Sequence, residues 1–178
     1  MVTPLRRFCL DWLDEKAEYL GGDILNVGSR DDHYNYRKMF YNAKTFRNLD
    51  IEWNRYLDIV CDAADMHMIL DESIDTILAI FMLYNPSDVT PLLDEFKRVL
   101  KLGGTLLTTY QPFNQPFYIN NYESPEVLVT DGGRWKIAGN PIYGNKAQSL
   151  IKERFILKDL RKYMENHQNW LFMEATKN

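Results

Sequence analysis

Short apolar runs, each closed by a polar turn and separated by amphipathic stretches, govern what the first 110 residues can fold into. The runs are Asp23–Val27 (DILNV), Phe46–Ile51 (FRNLDI), Leu57–Cys61 (LDIVC), Thr76–Phe81 (TILAIF) and Thr105–Tyr110 (TLLTTY). Between them lie helical patterns. The first opens at Thr3-Pro4 and stops at Gly21-Gly22, the second covers Asn35–Ala43, and the third covers Ser87–Leu100. In the third, Val89, Leu92, Leu93, Phe96, Val99 and Leu100 share one face, and Lys101-Leu102-Gly103-Gly104 is the expected stop. Strands that alternate with helices pair in parallel through right-handed crossovers. The expected fold is α/β, a Rossmann-like doubly wound, mostly parallel sheet with flanking helices.

Beyond residue 110 the pattern changes. Gln111–Gln148 carries Pro112, Pro116, Pro125 and Pro141 among several aromatic residues, and reads as an irregular, lid-like insertion in a single domain spanning 1–178. It either packs its aromatics over the sheet or faces a substrate. Leu157–Glu165 (LKDLRKYME) reads as a helix and Trp170–Ala175 (WLFMEA) as a final strand.

Composition narrows the partners. With 21 Lys+Arg against 25 Asp+Glu, a net charge of −4, the chain lacks the basic footprint that nucleic-acid backbones require. Its most apolar run, Ile74–Tyr84, is too short for a bilayer, and Met1–Leu10 lacks a secretory apolar block. Cys9 and Cys61 make neither a disulfide framework nor a metal quartet, so cytoplasmic placement with reduced thiols is expected.

In such sheets ligands bind beyond the carboxyl ends of the strands. The first run is followed by Gly28-Ser29-Arg30-Asp31-Asp32, where glycine permits a tight turn. The second ends at Asp50, at the spacing of a carboxylate that accepts both ribose hydroxyls. Asp62-Ala63 follows the third, placed to reach the amine of a base, and Ala79-Ile80-Phe81 ends the fourth, suited to packing a planar ring. Together they indicate a nucleoside site. Arg30 and His33 stand where a dinucleotide turn needs its second and third glycines, which disfavours NAD, and no P-loop is present.

The succession ILNVGSRD, NLDIE, DIVCDAADM, ESIDTILAIFMLYNPSD and LLDEFKRVLKLGGTLLTTY resembles the class I S-adenosylmethionine-dependent methyltransferases of the small-molecule (type 11-like) group, from about Gly22 to Tyr110. The resemblance implies S-adenosylmethionine as cofactor and a methyl group passed to oxygen or nitrogen of a small or modest-sized acceptor. It also implies roles. Gly28 and Ser29 lie against the methionine part, Asp50 holds the ribose, and Ile51 packs on the adenine. Asp62 and Ala63 face the adenine amine, with Ala79 and Ile80 beside the methyl group and Phe81 behind. Glu95, Arg98 and Gly103-Gly104 are structural in the family.

Departures from the family pattern are informative. Asn26 stands where the family has a carboxylate and brings no charge to the cofactor's ammonium; Arg30 and Asp32 replace glycines. Arg30 either clamps the cofactor's carboxylate or fills its pocket. The chain ends soon after the last run, so the last antiparallel strand is expected to be missing. That leaves an edge for a second copy (a homodimer) or the lid to cover. Tyr84, His33, Tyr34, Tyr110 and Trp135 are candidates to line an acceptor pocket, and none is assigned a catalytic role. Asp31, Asp32 and His33, with Asp62, Asp65 and His67, do not read as metal ligands: Asp62 serves the nucleoside and the others are solvated turn residues. Two rival functions stand beside methyl transfer: a degenerate methyltransferase fold serving as a binding or scaffold protein, and an NAD-dependent reductase.

Overall fold

The computed structural model describes residues 2–30, 35–83, 89–110, 127–128, 137–138, 145–165 and 168–178, with backbone alone at 127–128, 137–138, 145–148, 165 and 168–169. Helix α1 spans Pro4–Ala17. Thr3 caps it, its Oγ1 accepting the Arg6 amide at 3.3 Å, and Pro4 occupies the first position, where the missing N–H is not needed. Strand β1 (Gly22–Val27) follows, then a single helical turn, α2 (Tyr36–Met39), and β2 (Ala43–Asp50). The helix expected over 35–43 is shorter because Ala43 already pairs with Gly22 in the sheet. Strand β3 keeps only Ile59–Val60 of its run, and β4 covers Ile74–Ala79.

Helix α3 (Thr90–Val99) buries Leu92, Leu93, Phe96 and Val99, the face its periodicity marks. No turn separates it from β5 (Leu100–Tyr110): the stretch Lys101–Gly104, expected to close the helix, is the start of the strand. There the Gly103 amide donates to the Lys177 carbonyl, and the Lys177 amide to the Gly104 carbonyl, both at 2.9 Å. Strands β6 (Val127–Leu128) and β7 (Ile137–Ala138) pair antiparallel as a separate small sheet, and α4 spans Asn145–Arg154. Strands β6 and β7 and residues 145–148 of α4 are the described parts of the stretch expected to be a lid; its remainder lies outside the described residues. The chain closes with β8 (Ile156–Glu165) and β9 (Gln168–Thr176).

The main sheet has seven strands in the order β3-β2-β1-β4-β5-β9-β8. The first five run parallel to their neighbours, while β9 is antiparallel to both β5 and β8. The doubly wound α/β expectation holds. The expectation of a missing last antiparallel strand does not: β9 pairs with β5 from Thr105 to Tyr110 and covers the edge that was to be left open. Nor is 157–165 helical. Its helix-like composition yields to an antiparallel partner and to the partners that its inward-facing residues find on α1. The Lys16 ammonium lies 2.8 Å from Asp159 Oδ2 and 2.9 Å from Glu174 Oε2, the Arg161 guanidinium grips both Glu15 oxygens, and Tyr163 packs on Phe8. Burial opposes the charge on Lys16, but its hydrogen bonds to Asp159 and Glu174 outweigh that and raise its pKa above the ordinary lysine value.

Each face of the sheet has its own core. On one, Leu25, Val27, Ile77 and Leu106 meet α3 and α4; on the other, Ile24, Leu78, Leu107 and Phe172 meet α1. The chain passes from β1 outward to β2 and β3, then returns to β4 on the other side of β1. That reversal makes the carboxyl ends of β1 and β4 the switch point of the sheet.

Candidate functional site

The turn after β1 is built from its backbone. Gly28 adopts φ +68°, in the left-handed region, and the Gly28 and Ser29 amides both donate to the Leu49 carbonyl, at 2.9 and 3.1 Å. A Cβ on Gly28 would lie 2.7 Å from Met82 Cγ, so the close approach that glycine permits here is that of the Met82 side chain. Arg30 repeats the left-handed conformation, φ +50°, without glycine's freedom. Its amide donates to Asp50 Oδ2 at 2.7 Å, and its carbonyl accepts from Asn54 Nδ2, also at 2.7 Å.

Asp50 thus joins the ends of β1 and β2. Its Oδ1 accepts the Ile51 amide at 2.8 Å, and its backbone carbonyl accepts the Cys61 amide at 3.1 Å, which draws the end of β3 alongside. Ile51 is 63% exposed next to that carboxylate, an apolar surface without a protein cover among the described residues. Asp62 is exposed and caps its own turn by accepting the Ala64 amide at 2.9 Å, while Ala63 is buried.

The loop carrying Asp62 and Ala63 is fastened from below. Glu95 Oε2 accepts the Met66 amide at 2.6 Å; the Arg98 guanidinium donates to Glu95, Asp71 and the carbonyls of Met66 and Ile69. The hydrogen bond from Arg98 holds the Glu95 carboxyl below its ordinary pKa, against the opposing effect of burial.

Beyond β4 the backbone turns sharply. Phe81 adopts φ +55°, and its amide donates to Thr109 Oγ1 at 2.7 Å. Its ring stands edge-on to Trp170, centroids 4.7 Å apart, with the Arg6 guanidinium 4.3 Å above it. Arg6 also donates to the Tyr36 hydroxyl at 2.8 Å.

Gly28, Ser29, Arg30, Asp50 and Ile51 are therefore brought into one hydrogen-bonded constellation, with Asp62 and Ala63 beside it and Phe81 across the switch point. Three expected site residues sit deeper. Asn26 is buried and donates through Nδ2 to Asn48 Oδ1 at 3.0 Å. Ala79 and Ile80 are buried in opposite cores, and the Ala79 carbonyl accepts from Thr108 Oγ1 at 3.0 Å. Tyr110 is buried against α3 and α4, its hydroxyl pKa pushed up to about 12 by burial. His33, Tyr34, Tyr84, Trp135 and the carboxylates Asp31 and Asp32 lie outside the described residues. Among those described, no three of His, Cys, Asp and Glu gather as a metal site, and no helix is long and apolar enough to cross a membrane. Burial pushes the Cys9 thiol up to about 12 and also raises that of Cys61, so both are poor nucleophiles.

Met82, Arg6 and Tyr36 escaped the sequence reading. Met82 was legible only as an apolar residue past a strand. Arg6 was one charge on an amphipathic helix 75 residues from the ring it covers.

A family model described as a methyltransferase domain matches residues 29–108. No curated protein sequence matches the chain. Among solved structures, the chain is similar to an S-adenosylmethionine-dependent methyltransferase from Methanosarcina mazei, at TM-score 0.71 and 15% identity over 92% of this chain and 96% of that one. It is also similar to the N-methyltransferase NodS from Bradyrhizobium japonicum in complex with S-adenosylhomocysteine, at 0.66 and 13% over 98% and 88%. The cyclase SpnF aligns at 0.65 and 16% over 96% and 80%. At such identities the likeness is one of fold.

Proposed function

We propose, from the premise that this chain carries the methyltransferase-domain match and the class I methyltransferase fold, that it is an S-adenosylmethionine-dependent methyltransferase. The observation that carries the reading is Asp50, a carboxylate at the end of β2 that ties the β1 turn to the β3 loop and stands beside the exposed face of Ile51. These residues fit a nucleoside: an acceptor for a vicinal diol, an apolar shelf for a base, and Asp62 beyond it for an exocyclic amine.

When bound, the cofactor supplies an electrophilic methyl group, and the protein's task is alignment and exclusion of water. Asp50 accepts from the ribose hydroxyls. Ile51 and Ala63 enclose the base, with Asp62 accepting from its amine. Gly28 and Ser29 bound the space for the methionine part. Ala79 and Ile80, buried within the cores, fix the end of β4, with Ala79 paired to Thr108 of β5, so that Phe81 forms the wall on the acceptor side. Arg6 and Trp170 fix that ring and leave little freedom for water behind it. The acceptor is a small or modest-sized molecule, methylated at oxygen or nitrogen, and the protein works in the cytoplasm, a reading supported by two unpaired cysteines.

Titration calorimetry with S-adenosylhomocysteine tests this reading. Binding is expected, and Asp50→Ala is expected to weaken it by about 1.5–3 kcal/mol, roughly 10–150-fold. Unchanged affinity in that variant removes the ribose assignment. A second reading, a binding protein on a methyltransferase fold, is favoured by Asn26, whose amide is buried and engaged with Asn48. Tight binding of the nucleoside without methyl transfer to any acceptor of a broad panel would select it.

A further inference from the structure

If Asp50 takes the ribose and Ile51 with Asp62 takes the base, the base extends toward β3, on one side of β2. The 5′ arm of the nucleoside then runs the other way, over the β1 turn and the switch point. In S-adenosylmethionine that arm ends in a carboxylate. A turn of this kind ordinarily receives an anion on its backbone amides, but here its described amides are engaged. Those of Gly28 and Ser29 donate to the Leu49 carbonyl and that of Arg30 to Asp50. The Ser29 hydroxyl also faces the Leu49 carbonyl, at 3.3 Å. Met82 covers the open side of Gly28, and Asn26 lies buried beneath.

One donor group of the described turn is left. Arg30 is exposed, and its guanidinium has no partner among the described residues. Its backbone is clamped on both sides, through its amide to Asp50 and its carbonyl to Asn54. An arginine kept in a left-handed conformation that glycine would occupy without strain indicates a side chain with a task. We propose that Arg30 holds the carboxylate of the cofactor's amino-acid end in a two-point guanidinium–carboxylate pair, a donor beside the Gly28, Ser29 and Arg30 amides that are engaged elsewhere. The inference rests on the nucleoside reading above and adds the residue that recognises the amino-acid arm.

The test uses calorimetry on the full chain at low ionic strength with three probes: S-adenosylhomocysteine, its decarboxylated counterpart 5′-(3-aminopropylthio)-5′-deoxyadenosine, and adenosine. The unaltered protein is expected to prefer S-adenosylhomocysteine over the decarboxylated probe by about tenfold or more. Arg30→Gly, which relieves the backbone and keeps the fold, should lose that preference while binding the decarboxylated probe as before. Arg30→Lys should restore only part of it, because an ammonium lacks the fork. A preference that survives in Arg30→Gly, or equal binding of all three probes by the unaltered protein, overturns the proposal and leaves the nucleoside reading standing. Failure of all three probes to bind overturns both. Thermal melting of each variant, expected no lower for Arg30→Gly, separates loss of binding from loss of fold.

Discussion

Gly28 carries two constraints that a sequence cannot separate. Its backbone is left-handed, and Met82 occupies the space a Cβ would need. Gly28→Ala is expected to lower stability by about 1–3 kcal/mol in urea unfolding. Adding Met82→Ala should recover the steric share and leave the conformational one, so the double variant stays below the unaltered protein after correction for the packing lost in Met82→Ala alone. Asn26 teaches a related lesson. In the sequence it is a carboxylate replaced by an amide at a ligand site. In the structure it is one link of a buried chain, Asn26 to Asn48 and Asn48 Nδ2 to the Tyr56 carbonyl at 3.2 Å.

Among the elements, the loop between β3 and β4 has little regular structure and depends on α3 for its shape. Arg98 supplies that support through three hydrogen bonds to the loop and two to Glu95, and Arg98→Ala is expected to cost about 3 kcal/mol and to loosen the loop bearing Asp62. Amide hydrogen exchange over residues 62–71 would report it, as a selective loss of protection. Glu95 adds a pH dependence. Its carboxyl is held below the ordinary value of 4.5, chiefly by the hydrogen bond from Arg98, so the folded state binds that proton more weakly than the unfolded state. The stabilisation is therefore complete above pH 4.5 and is lost as pH falls through the lower folded value. In Arg98→Ala, stability between pH 5 and 3 should fall less steeply, as read by denaturant titrations at successive pH values.

Across the whole molecule, the first helix and the last two strands hold each other. Lys16, with its side chain 4% exposed, faces Asp159 and Glu174, and Arg161 faces Glu15. Lys16→Ala leaves the partly buried Glu174 carboxylate without a cation and Asp159 with Arg161 alone, with an expected loss of about 3 kcal/mol. For a chain of this size that is a fall in melting temperature of roughly 6–12 °C. The outer strand β8 presents Lys158 and Lys162 between Ile156, Leu160 and Met164, and charges so placed oppose pairing with another edge.

The parallel half of the fold and the gathering of the candidate residues at the strand ends were legible in the sequence, because both follow from local signals. Apolar runs of strand length, glycine at a left-handed turn and a carboxylate at a strand end each act within a few residues of themselves. The C-terminal hairpin was not, since Leu157–Glu165 has helical composition and becomes a strand only when β9 and α1 are present to pair with it. The same division runs through the candidate site: Gly28, Asp50 and Asp62 were named from their positions at strand ends. That Met82 covers Gly28 and that the amides of Gly28, Ser29 and Arg30 are already engaged were decided by contacts between segments distant in the chain.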